Sequence, residues 1–169
     1  MIHLYVGDGK GKTTAAMGLC LRMAGRDKSA LIAQFMKGAD SGERAALAHL
    51  PSVTLLEVPQ SVPFSFCLTE EEFSREQYRY RRMLEEIAET LKGGGIDLLV
   101  LDEVCDAVNA GLVELQDLLS LLQTPRCEVV LTGRDPAQPL VDQAHYITHF
   151  RKERHPFDKG FPARPGVEF

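Results

Sequence analysis

The stretch Val6-Gly7-Asp8-Gly9-Lys10-Gly11-Lys12-Thr13-Thr14 decides how this chain folds. It follows an apolar run, Ile2–Val6, that reads as a strand, and it opens a segment, Lys12–Met23, in which Ala15, Ala16, Leu19 and Met23 fall near helical spacing. A glycine-rich turn between a strand and a helix is the setting of a phosphate-binding loop. Gly7, Gly9 and Gly11 let the backbone turn tightly and aim N–H groups at phosphate oxygens, with Asp8, Lys10 and Thr14 filling out the loop. The helix that begins near Lys12 points the positive end of its dipole at the same place. Lys12 is then the candidate contact to a phosphate chain, and the Thr13 hydroxyl the candidate ligand of a divalent cation. The pattern GxxxxGK[ST] is met except at its first glycine, where Val6 stands. The dinucleotide pattern GxGxxG fails, because its last glycine would fall on Lys12.

Two further strand ends complete the reading. Leu98-Leu99-Val100-Leu101-Asp102-Glu103 is an apolar run closed by two carboxylates, the arrangement that delivers acids to a metal beside a phosphate loop. In a parallel sheet all carboxyl ends share one edge, so Asp102 and Glu103 are expected to face the glycine loop. Both are candidate metal ligands, and spacing does not choose between them. Val129-Val130-Leu131-Thr132-Gly133-Arg134 brings Arg134 to the same edge, where a guanidinium matches phosphate oxygens.

Short apolar runs at Ile2–Val6, Ala30–Phe35, Val53–Val58, Leu98–Leu101, Glu128–Thr132 and Tyr146–Phe150 read as strands of a buried sheet. Helices are expected at Lys12–Met23, from an N-cap at Thr69 with Glu72 closing a capping box to about Lys92, and at Leu115–Leu122. The alternation predicts an α/β fold, a P-loop NTPase-like (RecA-like), mostly parallel sheet flanked by helices, with residues 1–169 forming one domain. The tail from Arg151 to Phe169 is expected to be irregular and packed on that domain. Glu70 to Glu89 reads as a charged, solvated helix face.

Composition narrows the function classes. A length of 169 residues, 44% hydrophobic and 25% charged, is that of a globular chain that needs no disulfide or metal to fold. A net charge of -5 argues against a nucleic-acid coat. No apolar run is long enough to span a membrane, and the first residues lack the features of a signal peptide, so a cytoplasmic location is expected. Cys20, Cys67, Cys105 and Cys127 are too far apart for a metal or redox pair and read as buried or half-buried thiols.

The whole chain resembles the ATP:corrinoid adenosyltransferases of the BtuR/CobA type. The resemblance rests on GDGKGKTTAA with Gly18 and Arg22, on Gln34-Phe35-Met36-Lys37-Gly38, and on Gly42-Glu43-Arg44. It continues through Asp102-Glu103 and Thr132-Gly133-Arg134 to His155-Pro156-Phe157-Asp158-Lys159-Gly160, Ala163 and Gly166-Val167-Glu168-Phe169. It implies transfer of the 5′-deoxyadenosyl group of ATP to Co(I) of a reduced corrinoid, with triphosphate released and Mg2+ or Mn2+ bound. Lys12 and Arg134 would stabilise the leaving triphosphate, and His155 would belong to the binding machinery. The family's aromatic pair, which displaces the lower axial ligand of cobalt, matches Phe64-Ser65-Phe66, with Phe66 standing where the family has Trp. The resemblance also implies a homodimer and an electron-donating reductase such as a flavoprotein. Longer relatives carry an arm before the first strand, so no lid from such an arm is expected here. His145 and His149 read as structural or surface residues. The alternatives are a P-loop kinase or ATPase acting at the γ-phosphate and a non-catalytic binding module.

Overall fold

The computed structural model describes residues 1–39, 41–60, 68–123 and 126–167. Phe64, Phe66 and Cys67 lie outside the described residues. Six parallel strands form one sheet in the order β3-β2-β4-β5-β1-β6. They are β1 (Ile2–Val6), β2 (Ala30–Gln34), β3 (Val53–Leu55), β4 (Leu98–Asp102), β5 (Glu128–Gly133) and β6 (Tyr146–His149). The helices are α1 (Lys12–Ala24), α2 (Gly42–Leu47), α3 (Glu70–Gly93), α4 (Val104–Asn109), α5 (Leu115–Leu122) and α6 (Gln138–Gln143). This is the expected α/β sheet, parallel throughout.

Successive side chains of a strand point to opposite faces, and the two cores follow that alternation. On one face, Ala30, Ile32, Leu98, Val100 and Val130 pack under Ala16, Met17 and Cys20 of α1 and Leu47 of α2. On the other, Leu4, Leu31, Ala33, Leu99, Leu101 and Leu131 pack against Tyr80, Met83, Leu84 and Ile87 of α3 and against α4 and α5. Burying each Leu, Ile, Val or Met among these stabilises the fold by about 1.5–3 kcal/mol. β2 and β4 are buried along their whole length, which explains their unbroken apolar runs.

Helix α3 starts as its sequence requires. Thr69 accepts a hydrogen bond from the Glu72 N–H, and the Glu72 carboxylate accepts one from the Thr69 N–H at 2.8 Å. Its outer face carries Arg82–Glu85 and Lys92–Glu89 pairs, three residues apart, while a half-buried Arg79–Glu76 pair lies beside the Tyr80 ring. Helix α1 starts differently. Gly11, at φ 113°, is its N-cap, and no side chain caps the first turn.

Two expectations need correction. β6 was expected as a buried strand, yet all four of its residues are exposed, because it is an edge strand. The tail was expected to pack on the domain, yet beyond Phe150 nearly every described residue is exposed, including Phe157 at 74% and Phe161 at 59%. Its HPFDKG motif forms one 3-10 turn, Pro156–Lys159. Among the described residues, no helix is long and apolar enough to cross a membrane.

Candidate functional site at the carboxyl edge of the sheet

Register lines the strand ends up. Gln34 stands opposite Asp102 across β2 and β4, and Val6 stands opposite both Gly133 and His149. The loop after β1, the acids after β4 and Arg134 after β5 therefore leave from one edge. β5 lies between β1 and β4, so the loop strand and the acid strand are not neighbours. Thr13, in the first turn of α1, bridges that gap by donating to Asp102 Oδ1 at 2.9 Å.

The buried polar residues among those described are Gln34, Asp102 and Thr132, and all three are here. Polar side chains inside a core need partners, and these supply each other. Thr132 Oγ1 donates to Asp102 Oδ1 at 2.7 Å and accepts from the Glu103 N–H at 2.8 Å. Gln34 Nε2 donates to Asp102 Oδ2 and to Glu43 Oε1, both at 3.2 Å. Arg44 fixes the amide from the other side, donating to Gln34 Oε1 at 3.0 Å and to the Leu56 carbonyl at 2.8 Å. Lys37 Nζ reaches Asp102 Oδ2 at 2.8 Å and Thr13 Oγ1 at 3.0 Å, with Glu103 and Glu43 at 3.5 and 3.6 Å.

The glycine loop is clasped from behind by the segment that leaves β6. The Gly9 N–H donates to the Phe150 carbonyl at 2.6 Å, and the Lys152 N–H donates to Asp8 Oδ1 at 3.0 Å. That hydrogen bond holds the Asp8 carboxyl below its ordinary range. A Cβ on Gly7 would fall 2.5 Å from the Phe150 carbonyl oxygen, and one on Gly9 would fall 2.7 Å from the same backbone. The expectation that the Gly9 N–H faces phosphate is corrected, since it is held by the Phe150 carbonyl, and Gly7 and Gly9 must be glycine because the Phe150 backbone packs against them. Lys12 Nζ donates to the carbonyls of Gly7 at 2.7 Å and Gly9 at 2.9 Å. Burial, then the charge of Arg134, pull the Lys12 pKa down. Lys10 and Thr14 are exposed at the mouth of the loop.

Asp102 and Glu103 take different positions. Asp102 is fully buried. Glu103 caps α4 with a left-handed backbone, φ 61°, which costs an L-residue about 1–2 kcal/mol. Burial pushes its carboxyl up to about 7 against the pull of Lys37. Met36 and Asp135, just past β2 and β5, also have positive φ, so backbone strain gathers along this edge. Arg134 is exposed, and α4 holds its loop from beneath. Asp106 Oδ2 accepts from the Arg134 N–H at 3.1 Å, and Asn109 Nδ2 donates to the carbonyls of Arg134 and Asp135. Gly133 is needed there, since a Cβ would sit 2.6 Å from Asp106 Oδ2.

His155 lies away from this network. Its Nδ1 accepts from the Phe157 N–H at 3.2 Å and starts the 3-10 turn. His145 accepts from the Ile2 N–H at 3.1 Å, a structural role, and His149 is exposed on β6. Lys37, Gln34, Glu43, Thr132 and Asp106 were given no role from sequence. The signal for the first three was the pair of motifs QFMKG and GER. A groove of about 1220 Å³ between α3 and α5 is lined by Leu84, Ala88, Ile96 and Leu121, at the opposite end of the strands.

Among the described residues no three His, Cys, Asp or Glu side chains are placed to hold a metal by themselves. The oxygens gather instead around the Lys37 ammonium. They are a hydroxyl and carboxylates, the hard donors that Mg2+ or Mn2+ takes, and Mg2+ commonly needs only one or two carboxylates beside substrate phosphates. The donor set fits such an ion.

The family model for ATP:corrinoid adenosyltransferase BtuR/CobO/CobP matches residues 1–169. A corrinoid adenosyltransferase of Pseudomonas aeruginosa is 30% identical over 172 residues, covering 100% of this chain and 83% of the relative. Corrinoid adenosyltransferase CobA of Salmonella typhimurium is 32% identical over 184 residues, covering 100% of this chain and 85% of the relative. A corrinoid adenosyltransferase of Escherichia coli K12 is 28% identical over 177 residues, with 100% and 85% covered. With a parallel sheet that gathers a glycine loop, paired acids and Arg134 at one edge, and a family match from the first residue to the last, the chain belongs to the ATP:corrinoid adenosyltransferases.

Proposed function

We propose that this enzyme transfers the 5′-deoxyadenosyl group of ATP to Co(I) of a reduced corrinoid and releases triphosphate. A cobalt–carbon bond forms at C5′, the C5′–O bond breaks, and its electron pair leaves on the triphosphate. The nucleophile is the corrinoid itself, so the protein supplies position and charge. The reading is carried by the Thr13–Asp102 hydrogen bond, which ties the start of α1 to the acid strand across the intervening β5.

The uncapped first turn of α1 and the glycine-loop N–H groups other than that of Gly9, which Phe150 holds, bind the triphosphate. Lys12 is preset between two loop carbonyls and turns its ammonium to the phosphate oxygens. Arg134, held at its backbone by Asp106 and Asn109, closes on the same group. Thr13, Asp102 and Glu103 would hold Mg2+ or Mn2+, which would supply neutralising charge to the leaving group. Phe64 and Phe66 exclude the lower ligand of cobalt, and His155 keeps the closing motif in shape for substrate. The enzyme works as a cytoplasmic homodimer fed by an electron-donating reductase such as a flavoprotein.

Anaerobic incubation with ATP, Mg2+ and a chemically reduced corrinoid tests the reading. The expected products are a light-sensitive alkylated corrinoid and triphosphate. Release of ADP with no alkylated corrinoid would overturn it in favour of chemistry at the γ-phosphate.

A further inference from the structure

Lys37 stands where a divalent cation would stand. Its ammonium lies 2.8 Å from Asp102, 3.0 Å from Thr13, 3.5 Å from Glu103 and 3.6 Å from Glu43. Those oxygens come from β4, α1, the α4 cap and α2, so four segments converge on one nitrogen. Three carboxylates and one hydroxyl thus surround a single ammonium.

The placement is built from the backbone upward. Met36 turns the chain after β2 with φ 54°, and its N–H donates to Tyr80 Oη at 2.7 Å. Tyr80 is fully buried, with its ring 5.1 Å from that of Phe35. This strained turn carries Lys37 back over the strand ends instead of out to solvent; its side chain is only 19% exposed.

We propose that Lys37 is a tethered counter-ion that occupies the cation site in the nucleotide-free protein and moves onto the triphosphate when nucleotide brings the divalent cation in. An ammonium and a divalent cation sharing the same oxygens repel strongly at such separations, so one excludes the other. Lysine suits the exchange, since its flexible stem and three donors let one charge serve two positions. The triphosphate, bound beside Thr13, is the nearest new anion. Lys37 thereby becomes a third cation on the leaving group beside Lys12 and Arg134, and cation binding becomes coupled to nucleotide binding. The inference rests on Thr13, Asp102 and Glu103 being the cation site.

The test uses Mn2+ as probe, with free ion read by electron paramagnetic resonance and the full-length protein as titrant. Without nucleotide, Lys37→Met is expected to bind Mn2+ at least about tenfold tighter than wild type. With ATP present the order reverses, and the variant is expected to bind the Mn2+–ATP complex at least about tenfold more weakly. Equal Mn2+ affinity for variant and wild type overturns the counter-ion role. Asp102→Asn alone separates the two readings, for if it abolishes Mn2+–ATP binding while Lys37→Met binds as wild type, the cation site stands and only the counter-ion role falls, and Lys37→Met combined with Asp102→Asn tests the site itself. If the tightened binding survives Asp102→Asn, the cation site lies elsewhere and both readings fall; if it is abolished, both stand. Should Lys37→Met not fold, the side-chain ammonium resonance of Lys37 in 15N-lysine wild type decides. It is expected to shift on adding Mg2+ with ATP, and an unmoved resonance at saturation overturns the proposal.

Discussion

Gly9→Ala should loosen the whole loop from behind, without touching any phosphate-facing group. A Cβ at this position would lie 2.7 Å from the Phe150 carbonyl carbon and oxygen and 2.8 Å from the Arg151 carbonyl carbon. All of these atoms are backbone, so no side chain can swing aside. The Gly9–Phe150 hydrogen bond, 2.6 Å long, must lengthen or break as the segments part. Loss of that bond costs about 0.5–1.5 kcal/mol, and forcing a methyl into a filled space costs about 1–3 kcal/mol. The sum, about 1.5–4.5 kcal/mol, corresponds to a fall in melting temperature of roughly 3–18 °C for a chain of this size. Gly18→Ala is the control. Gly18 sits inside α1 with nothing within 4 Å of an added Cβ, so relief of glycine's helix penalty should stabilise by about 1 kcal/mol. Thermal unfolding followed by circular dichroism reads both. A Gly9→Ala protein that melts with wild type would refute the clasp, whatever its activity.

Three other outcomes follow from the site. Lys12→Ala should lower adenosyl transfer by about 10²-fold or more, and should also lower the melting temperature by a few degrees because two loop carbonyls lose their donor; a near-normal rate would remove Lys12 from the triphosphate site. Asp106→Ala should free the Arg134 backbone and weaken ATP binding by about tenfold, measured by calorimetry, and equal affinity would show that Arg134 needs no support from α4. Burial pushes the Cys105 thiol from 9.0 up to about 12, and raises Cys20 and Cys127 as well. The folded protein keeps the Cys105 proton above pH 9 where the unfolded chain loses it, so stability should fall as pH rises from about 9 towards 12. At pH 8 these three thiols should resist iodoacetamide until denaturant is added, and labelling of the native protein at Cys105 would contradict the burial.

Much of the architecture was legible because the informative segments are long or strongly patterned. β1 runs from Ile2 to Val6 as expected, and the Thr69–Glu72 capping box forms as the residue types require. β3 stops at Leu55, short of the expected Val58, while β4 and β5 each run one residue further than expected, into Asp102 and Gly133. Helices α2, α4 and α6 have six residues each, less than two turns, too few for an apolar period to show. The exposure of β6 is not local information either: Tyr146 and Ile147 read as core residues until the strand order puts them at an edge. In the site, the glycine loop and the Asp102 strand end carried their own chemistry. Lys37 did not, because a lysine's partners depend on which way the turn at Met36 sends it.

The clasp between Lys152 and Asp8 joins residues 144 positions apart. A ribosome therefore makes the glycine loop well before the segment that finishes it. At about 5–20 residues per second, the loop waits roughly 7–30 s for its backing. During that interval the nascent chain has the signature of a nucleotide site without the rigid wall that shapes it. Competence for ATP is thus reserved for a chain whose synthesis has passed Lys152, and a truncated product ending before Phe150 inherits the motif without the pocket.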